Sequence, residues 1–427
     1  MQGSGRGEWP RAGIDNRAAG DTVKLRISQI ALVVAGCMAP ALGHATNGYF
    51  SHGYGIKAKG MAGVGIALPQ DAMAAATNPA GMVFVGNRMD VGLDVFMPQR
   101  EVEMGGMTFD GDGRNMFFVP DFGYNRMINP NLSLGVVVYG NGGMNTTYET
   151  SPFGMPGTAG VDLTQLFIAP TVAYKITPDH AVGVSLNLAH QRFSAYGLQP
   201  FAMLGLSSDP TKLTNNGEDS SSGWGVRVGW TGRMSDTLTL GATYQTKTKM
   251  SKFKEYAGLF ADGGDFDIPA NYGVGIAFKA TPKLTVAADV QQIDYSGVGS
   301  VGNPMASPGR LGDPGAPGFG WRDMTVFKLG ASYQYNEKLT LRGGFSTGRQ
   351  PIPSSEVAFN ILAPGVIENH LTLGGTWQLG GGKELSVAYM HGFKKTVSGS
   401  LPPFMGGGTA DLRMSQNSLG VAFGWQF

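Results

Sequence analysis

The chain has 427 residues, 67 glycines, 15% charged residues and a formal net charge of +1. Such a balance, without a concentrated basic stripe, gives no electrostatic basis for nucleic-acid binding. Mean hydropathy is −0.06, and beyond the N-terminal region no apolar run approaches the ~18 residues that a membrane-spanning helix needs.

Residues 1–45 are predicted to be an export signal. Lys24 and Arg26 precede a mostly apolar stretch that ends in small residues, which is the order of a cleavable signal peptide. A translation start near Val23 would give a signal of more usual length. The single cysteine, Cys37, lies in this region, so the mature chain is predicted to have no internal disulfide. Lipidation of Cys37 is the alternative to its removal with the signal.

Residues 46–87 lack the alternation seen later and are predicted to be partly helical. Asp71 can cap a short helix over 72–76, and Pro79 would end it. A second, weaker helix is predicted within 56–67, where three glycines loosen it. This segment is too small to form a separate domain.

From residue 88 to 427, apolar and polar residues alternate in segments of about ten, as in membrane-spanning strands. In the last segment Phe423, Trp425 and Phe427 share one face. We therefore predict an all-β protein, a transmembrane antiparallel β-barrel of about 14 strands. Residues 46–87 would plug its lumen as an N-terminal hatch, and a lumen of this size can hold one.

The predicted connections are of two kinds, and the two kinds alternate. Short turns are expected near 129–131, 177–179, 235–236, 281–283, 336–338 and 380–382, and long loops over 101–115, 141–162, 197–222, 251–269, 295–323, 349–368 and 395–414. Short periplasmic turns and long extracellular loops are typical of outer-membrane barrels. The pattern places the protein in the bacterial outer membrane.

Several segments resemble the FadL/TodX family of outer-membrane transporters, which carry long-chain fatty acids and other hydrophobic compounds. The similar segments are Thr46 to Phe50, the glycine-rich stretch to Ala67, Asn78-Pro79-Ala80, and Leu341 to Phe345 followed by Pro351-Ile352-Pro353. The resemblance implies a hatch inside a fourteen-stranded barrel, an extracellular apolar groove and an inner pocket. It also implies sideways release through an opening at a kink in the third strand, next to the Asn-Pro-Ala motif.

The third predicted strand, 132–139, runs into Gly140, Asn141, Gly142 and Gly143. Glycine permits a bulge or bend in a strand, so these four residues are the candidates for the kink. An ordinary glycine-rich entry into a loop is the alternative. On the hatch side, the resemblance makes Asn78, Pro79 and Ala80 the candidate gate residues.

Two sets of side chains are candidates for substrate binding. Apolar loop residues could form the outer groove, or could simply pack on the barrel rim: Met104, Met107, Met144, Phe153, Met155 and Phe201. Five basic residues have the parity of the lumen face and could hold a substrate carboxylate, or could pair with acids of the wall such as Asp94 and Asp289: Lys175, Arg227, Lys279, Lys328 and Arg342.

The sequence thus predicts passive uptake of hydrophobic molecules, with long-chain fatty acids as the first expectation and aromatic or alkane hydrocarbons as the second. A fatty-acid site should contain a cation, whereas a hydrocarbon site needs none. Two alternatives remain: a general porin without a plug, and a hydrolase using Ser346, whose Gly-Phe-Ser-Thr-Gly context matches a nucleophile motif. No enzyme activity, cofactor or metal is predicted. The predicted partners are hydrophobic small molecules and outer-membrane lipid, not nucleic acid, and the protein is predicted to be a monomer.

Overall fold

The computed structural model describes residues 47–427, so the predicted export signal and Cys37 lie outside the described residues. Within that range, fourteen long strands each pair antiparallel with their neighbours. The last strand pairs with the first, from Arg88 opposite Gln426 to Met104 opposite Ala410, and this closes the sheet into a barrel. The predicted fold class is therefore confirmed.

The barrel strands are numbered in chain order. They are β1 Arg88–Met104, β2 Phe117–Asn129, β3 Leu132–Tyr148, β4 Ala159–Lys175, β5 His180–Tyr196, β6 Asp219–Arg233, β7 Leu238–Gln245, β8 Asn271–Thr281, β9 Leu284–Ile293, β10 Met324–Gln334, β11 Leu339–Gly348, β12 Asn369–Gly380, β13 Lys383–Ser400 and β14 Thr409–Gln426. Two short strands pair with β1 and β6 respectively, namely Met107–Asp110 and Lys249–Met250.

Side chains alternate between the two faces of the wall along most strands. In β5 the side chains of Val184 and Leu186 are exposed on the outer face, whereas Ser185 and Asn187 are buried towards the lumen. Closure of the sheet pairs the backbone groups that lipid could not satisfy. The aromatic residues that end the chain face outwards as predicted. Among residues 47–427, no helix is both long enough and apolar enough to cross a bilayer.

The six short turns occur where they were predicted, but several strands extend into predicted loops. The predicted loop 141–162 is wrong over most of its length, since only 149–158 lie between β3 and β4. The predicted loop 395–414 shrinks in the same way to 401–408. Glycine, asparagine and threonine make up most of the misassigned part of β3, 141–148, and its pairing with β4 holds it extended.

Short helices occur in the hatch and in the long loops. The α-helical turns are Ile56–Lys59, Gln199–Met203, Ala261–Gly264, Gly299–Gly302 and Val357–Asn360, and the 3₁₀ turns are Ala72–Ala76, Pro79–Phe84, Pro210–Lys212, Lys254–Tyr256, Tyr295–Gly297, Ser354–Glu356 and Pro403–Met405.

The hatch helices agree only partly with prediction. Asp71 caps Ala72–Ala76 as expected, because its side chain accepts the Met73 N–H at 3.0 Å. Pro79 does not end that helix; it begins the next one, with Asn78 as the N-cap. Proline is tolerated in the first turn because the N–H it lacks would have no partner there. The weaker predicted helix is reduced to Ile56–Lys59.

Candidate functional site

Buried ion pairs attach the hatch to the barrel wall. The Glu384 carboxylate on β13 accepts hydrogen bonds from Lys57 of the hatch and from Arg88 of β1, the latter at 2.5 Å. A second pair joins Lys59 to Asp94 at 2.5 Å. All five side chains are less than a tenth exposed. Because a buried charge without its partner is costly, these pairs resist separation of hatch and wall.

Backbone groups of the hatch add a second kind of anchor. The Asp289 carboxylate of β9 accepts the N–H groups of Gly65 at 2.8 Å and Ile66 at 3.1 Å. The N–H of Ala72 donates to Asp90 at 2.9 Å. Burial, followed by the nearby Asp90 carboxylate, raises the pKa of Asp71 in the hatch to about 6.

Asn78 fastens the Asn-Pro-Ala motif to β6. Its Nδ2 donates to the carbonyl oxygens of Ile66 at 2.7 Å and Trp230 at 2.9 Å, and its Oδ1 accepts the Ala80 N–H at 3.1 Å. A Cβ atom at Gly229 would lie 1.9 Å from Asn78 Oδ1, so only glycine fits there. Asn78 therefore contacts β6 rather than the glycine-rich part of β3. The gate role predicted for Asn78, Pro79 and Ala80 stays a prediction.

The third strand bends into the lumen where its glycines begin. Residues 137–146 of β3 are all buried, in contrast to the alternation elsewhere. The register with β4 shifts between Gly140 and Gly142, so Asn141 is the extra residue of a β-bulge. A bulge bends a strand and increases its twist. The structure thus places a bulge at the predicted kink residues, and their role in transport stays a prediction.

The bend leaves a gap between β2 and β3. Their pairing runs from Asn129 opposite Leu132 to Phe122 opposite Val138 and stops there. Residues 117–121 of β2 pair with β1 alone. The gap is closed again nearer the extracellular side, where the Gly113 N–H donates to the Thr147 carbonyl at 3.0 Å. It is an interruption in the wall, bounded at both ends by hydrogen bonds.

The start of the hatch lies against the inner edge of the bent strand. The Ser51 N–H donates to the Asn141 carbonyl at 2.9 Å, and the Gly143 N–H donates to the Tyr49 carbonyl at 3.0 Å. A Cβ atom at Gly142 would lie 2.0 Å from the Tyr49 oxygen, which explains the glycine. The hatch therefore supplies partners that β2 would supply in a regular sheet.

An apolar cavity of about 50 Å³, measured as the space open to the centre of a water molecule, lies beneath the extracellular loops. Its walls come from β4, β5 and four long loops, and Ser300 is their one polar side chain among the described residues. The lining residues are Val161, Phe193, Leu198, Phe201, Leu213, Leu259, Phe260, Ser300, Leu311, Pro317, Gly318, Phe319, Phe359 and Leu362. A lining of this polarity suits a small hydrophobic ligand.

A second cavity, of about 240 Å³ by the same measure, opens between three outer loops. It is lined by Pro152, Phe153, Gly154, Pro200, Phe201, Leu204, Phe404 and Met405. The structure therefore brings the predicted residues Phe153 and Phe201 together, with ring centroids 5.4 Å apart. Phe201 lines both cavities and lies between them. Sequence reasoning missed Leu204, Phe404 and Met405, because their proximity depends on how separate loops fold together.

The other predicted groove residues lie elsewhere. Met104 and Met107 lie at the β1 hairpin, Met144 is buried in the bent part of β3, and Met155 is exposed on its loop. None of these four lines either cavity.

One of the predicted lumen cations, Lys175, lies over the ring of Phe84 in the hatch, 5.3 Å from its centroid. Of the other four, three donate hydrogen bonds to groups of the hatch. Arg227 donates to the Thr77 carbonyl at 3.0 Å, and Lys328 donates to the His52 carbonyl at 3.2 Å. Arg342 donates to Gln70 Oε1 at 2.8 Å. Lys279 has the predicted parity, but it is exposed near the periplasmic end of β8. None of the four lines either apolar cavity.

Comparison with family models identifies this architecture. Residues 32–427 match the model of the outer membrane protein transport protein family, OMPP1/FadL/TodX. The chain belongs to this family. It is therefore an outer-membrane β-barrel of a family that transports hydrophobic compounds. Comparison with curated proteins gives no match.

Solved structures share the fold of this OMPP1/FadL/TodX member. The toluene transporter TodX of Pseudomonas putida has 21% identity and a TM-score of 0.70, over 88% of this chain and 99% of that one. A Pseudomonas aeruginosa FadL homologue has 14% identity and a TM-score of 0.69, over 89% and 100%. The Ralstonia pickettii toluene transporter TbuX has 21% identity and a TM-score of 0.64, over 88% and 99%.

Ser346, the candidate nucleophile of the hydrolase alternative, lies in a buried cluster between the hatch and the wall. Its hydroxyl lies 3.1 Å from His52 Nε2 and 3.2 Å from His370 Nδ1, and all three side chains are buried. Burial, then the nearby His370 and Lys328, lower the pKa of His52. Ser346 lies within strand β11, not in the strand-to-helix turn that exposes a nucleophile. These contacts join hatch and wall, and the family and its solved neighbours are transport channels.

Proposed function

We propose that this protein carries uncharged hydrophobic molecules from the cell exterior into the outer membrane. The molecule binds first in the cavity between the three outer loops, here called the outer cavity. It then passes Phe201 into the apolar cavity beneath the loops, the inner cavity, and leaves sideways through the gap between β2 and β3. The inner cavity beside the bent strand is the observation that carries this proposal. It offers an apolar surface where water-insoluble molecules are stable, next to an interruption in the wall.

Two residues that line the inner cavity contact the bent strand. Val161, which lines the cavity, lies opposite Thr146 of β3. The Thr146 hydroxyl donates to the carbonyl of Leu362, another lining residue, at 2.8 Å. The extracellular end of the bent segment of β3 thus contacts two residues that line the cavity. A ligand leaving the cavity along β3 would reach the gap.

Among the described residues, no charged side chain lines the inner cavity, and this favours an uncharged ligand. The polar lining residue, Ser300, already donates its hydroxyl to the Asp265 carbonyl at 2.5 Å. A carboxylate placed there would lose its hydration without gaining a partner. Aromatic or alkane hydrocarbons therefore suit the cavity better than fatty acids. Transport of long-chain fatty acids, the first expectation from the sequence, stays a prediction.

Binding alone would trap the ligand. Each buried CH₂ group contributes roughly 0.8 kcal/mol, so a long hydrocarbon would leave slowly unless the cavity or gap changed shape. The segment Tyr49 to Ser51 is held to β3 by backbone hydrogen bonds with Asn141 and Gly143. Its displacement would free the inner edge of the gap. The filled lumen also supports a plugged transporter rather than a general porin.

Ligand pairs that differ only in a carboxylate test this proposal. Naphthalene is compared with 1-naphthoate, and dodecane with dodecanoate, by titration of the detergent-purified protein at neutral pH. We expect the neutral member of at least one pair to bind about tenfold more tightly than its carboxylate, because burying an unpaired charge costs more than 1.4 kcal/mol. Equal or tighter binding of both carboxylates would overturn the uncharged-ligand proposal and support fatty acids.

A further inference from the structure

A row of three buried side-chain amides crosses the inner wall at the bulge. Asn141 Nδ2 donates to Gln165 Oε1 at 3.0 Å, and Gln165 Nε2 donates to Gln191 Oε1 at 3.1 Å. The three residues belong to β3, β4 and β5 and have no measurable exposure. Every bond runs in the same direction along the row. Such chains of hydrogen bonds polarise and strengthen one another in a low-dielectric interior.

Both ends of the row are attached to elements that face the transport pathway. At one end, the Tyr54 hydroxyl of the hatch donates to Asn141 Oδ1 at 3.1 Å. At the other, Gln191 Nε2 donates to the Phe266 carbonyl at 2.8 Å. The ring of Phe266 packs on Phe260, which lines the inner cavity, with centroids 4.8 Å apart. The row thus joins hatch, bulge and cavity wall.

The position of the row explains why the bulge occurs at this residue. Gly140 lies opposite Leu166 and Gly142 opposite Gln165, so Asn141 has no partner residue on β4. Its side chain instead extends the cross-strand pair of Gln165 and Gln191. If β3 continued straight from Val138, its edge would pair with residues 117–121 of β2 and the gap would close. The hydrogen bonds of the Asn141 side chain with Gln165 and Tyr54 oppose that movement.

We propose that Gln165 is a positioning residue that holds the bulge of β3 inwards and thereby keeps the gap between β2 and β3 open. Gln165 lies at the centre of the row and is bonded on both sides. Its replacement by leucine leaves one buried donor on Asn141 and one acceptor on Gln191 without partners. Unpaired buried polar groups are unfavourable, and straightening of β3 relieves part of this cost. The consequence for uptake rests on the proposed function, whereas the consequence for the gap does not.

The test combines a structural readout with a transport readout in Gln165→Leu. Hydrogen–deuterium exchange with mass spectrometry measures the backbone amides of 117–121 in the purified protein. We expect slower exchange there than in the wild type, because these residues gain a second neighbouring strand. Binding of the hydrocarbon that the titrations identify should be kept, while its uptake into cells falls about tenfold or more. A residue that merely supported the fold would make the exchange faster.

Asn187→Leu is the matched control. Asn187 is another buried amide of the inner wall. Its Nδ2 donates to Gln245 Oε1 at a distance of 3.1 Å, and neither residue belongs to the bulge. It should leave both exchange at 117–121 and uptake unchanged. Gln191→Leu breaks the row one step further from the bulge and serves as the second variant if Gln165→Leu does not assemble; it should slow the same exchange by a smaller factor.

The outcomes separate this proposal from the proposed function. Unchanged or faster exchange at 117–121 in both row variants would overturn the positioning role of Gln165. Slower exchange with normal uptake would support that role but overturn the gap as the exit. Slower exchange with lost uptake supports both.

Discussion

Replacing Glu384 by leucine is expected to loosen the hatch and let ions through the barrel. Glu384 is the shared partner of Lys57 and Arg88, both buried. Removing one member of a buried ion pair typically costs ~3–5 kcal/mol, because the remaining charge has no compensation. Asp90 still pairs with Arg88 at 2.6 Å, so the larger loss falls on Lys57 and hence on the hatch.

Single-channel recording in planar bilayers measures this effect. A weakening of this size should raise the frequency of open events about a hundredfold or more over the wild type. The double variant Lys57→Met/Glu384→Leu should lie closer to the wild type, because an apolar pair replaces the broken ion pair. Glu337→Leu, an exposed glutamate in a periplasmic turn, is the control. If open events in Glu384→Leu were no more frequent than in the wild type, other contacts would hold the hatch in place.

A cation introduced into the inner cavity should reverse the ligand preference. Leu259 lines the cavity and is half-buried, so a lysine there can reach the cavity while keeping part of its stem near solvent. The ammonium supplies the carboxylate partner that the wild-type lining lacks. A charge-assisted hydrogen bond of this kind contributes roughly 1.5–3 kcal/mol.

The same ligand pairs measure the reversal. In Leu259→Lys, 1-naphthoate or dodecanoate should bind about tenfold more tightly than in the wild type, and the neutral partner less tightly. Leu259→Met keeps an apolar side chain of similar volume and should preserve the wild-type order. An unchanged preference in the lysine variant would mean that the ligand binds outside this cavity.

The barrel could be predicted because the alternation of apolar and polar residues in its strands is a local sequence pattern. A strand between lipid and lumen must alternate, so Val184 and Ser185 reveal their faces without knowledge of their neighbours. Turn residues mark the periplasmic ends in the same local way. The bulge was also predictable in position, since glycines at 140, 142 and 143 relax the restriction on the backbone.

The remaining features depend on contacts between distant residues. Beyond Gly140, β3 pairs with β4 on one edge, and the partners on its other edge are Tyr49 and Ser51, about ninety positions away along the chain. Parity placed Lys279 on the lumen face, but parity does not say that this position is exposed near the periplasmic end of β8. The role proposed for Gln165 could not be predicted from the sequence, because it depends on the register of three strands.

Blocking the gap from the lipid side tests the account most directly. Phe118 lies in the part of β2 that borders the gap and is 45% exposed, whereas Phe327 is 53% exposed on β10. Each is replaced by cysteine in a mature chain predicted to have no other, and a bulky thiol reagent is attached through a reducible disulfide. Uptake of the hydrocarbon identified by titration should fall when position 118 is labelled, recover after reduction, and be unaffected by label at 327. If the variant labelled at position 118 took up the hydrocarbon as fast as the variant labelled at position 327, sideways release through this gap would be contradicted.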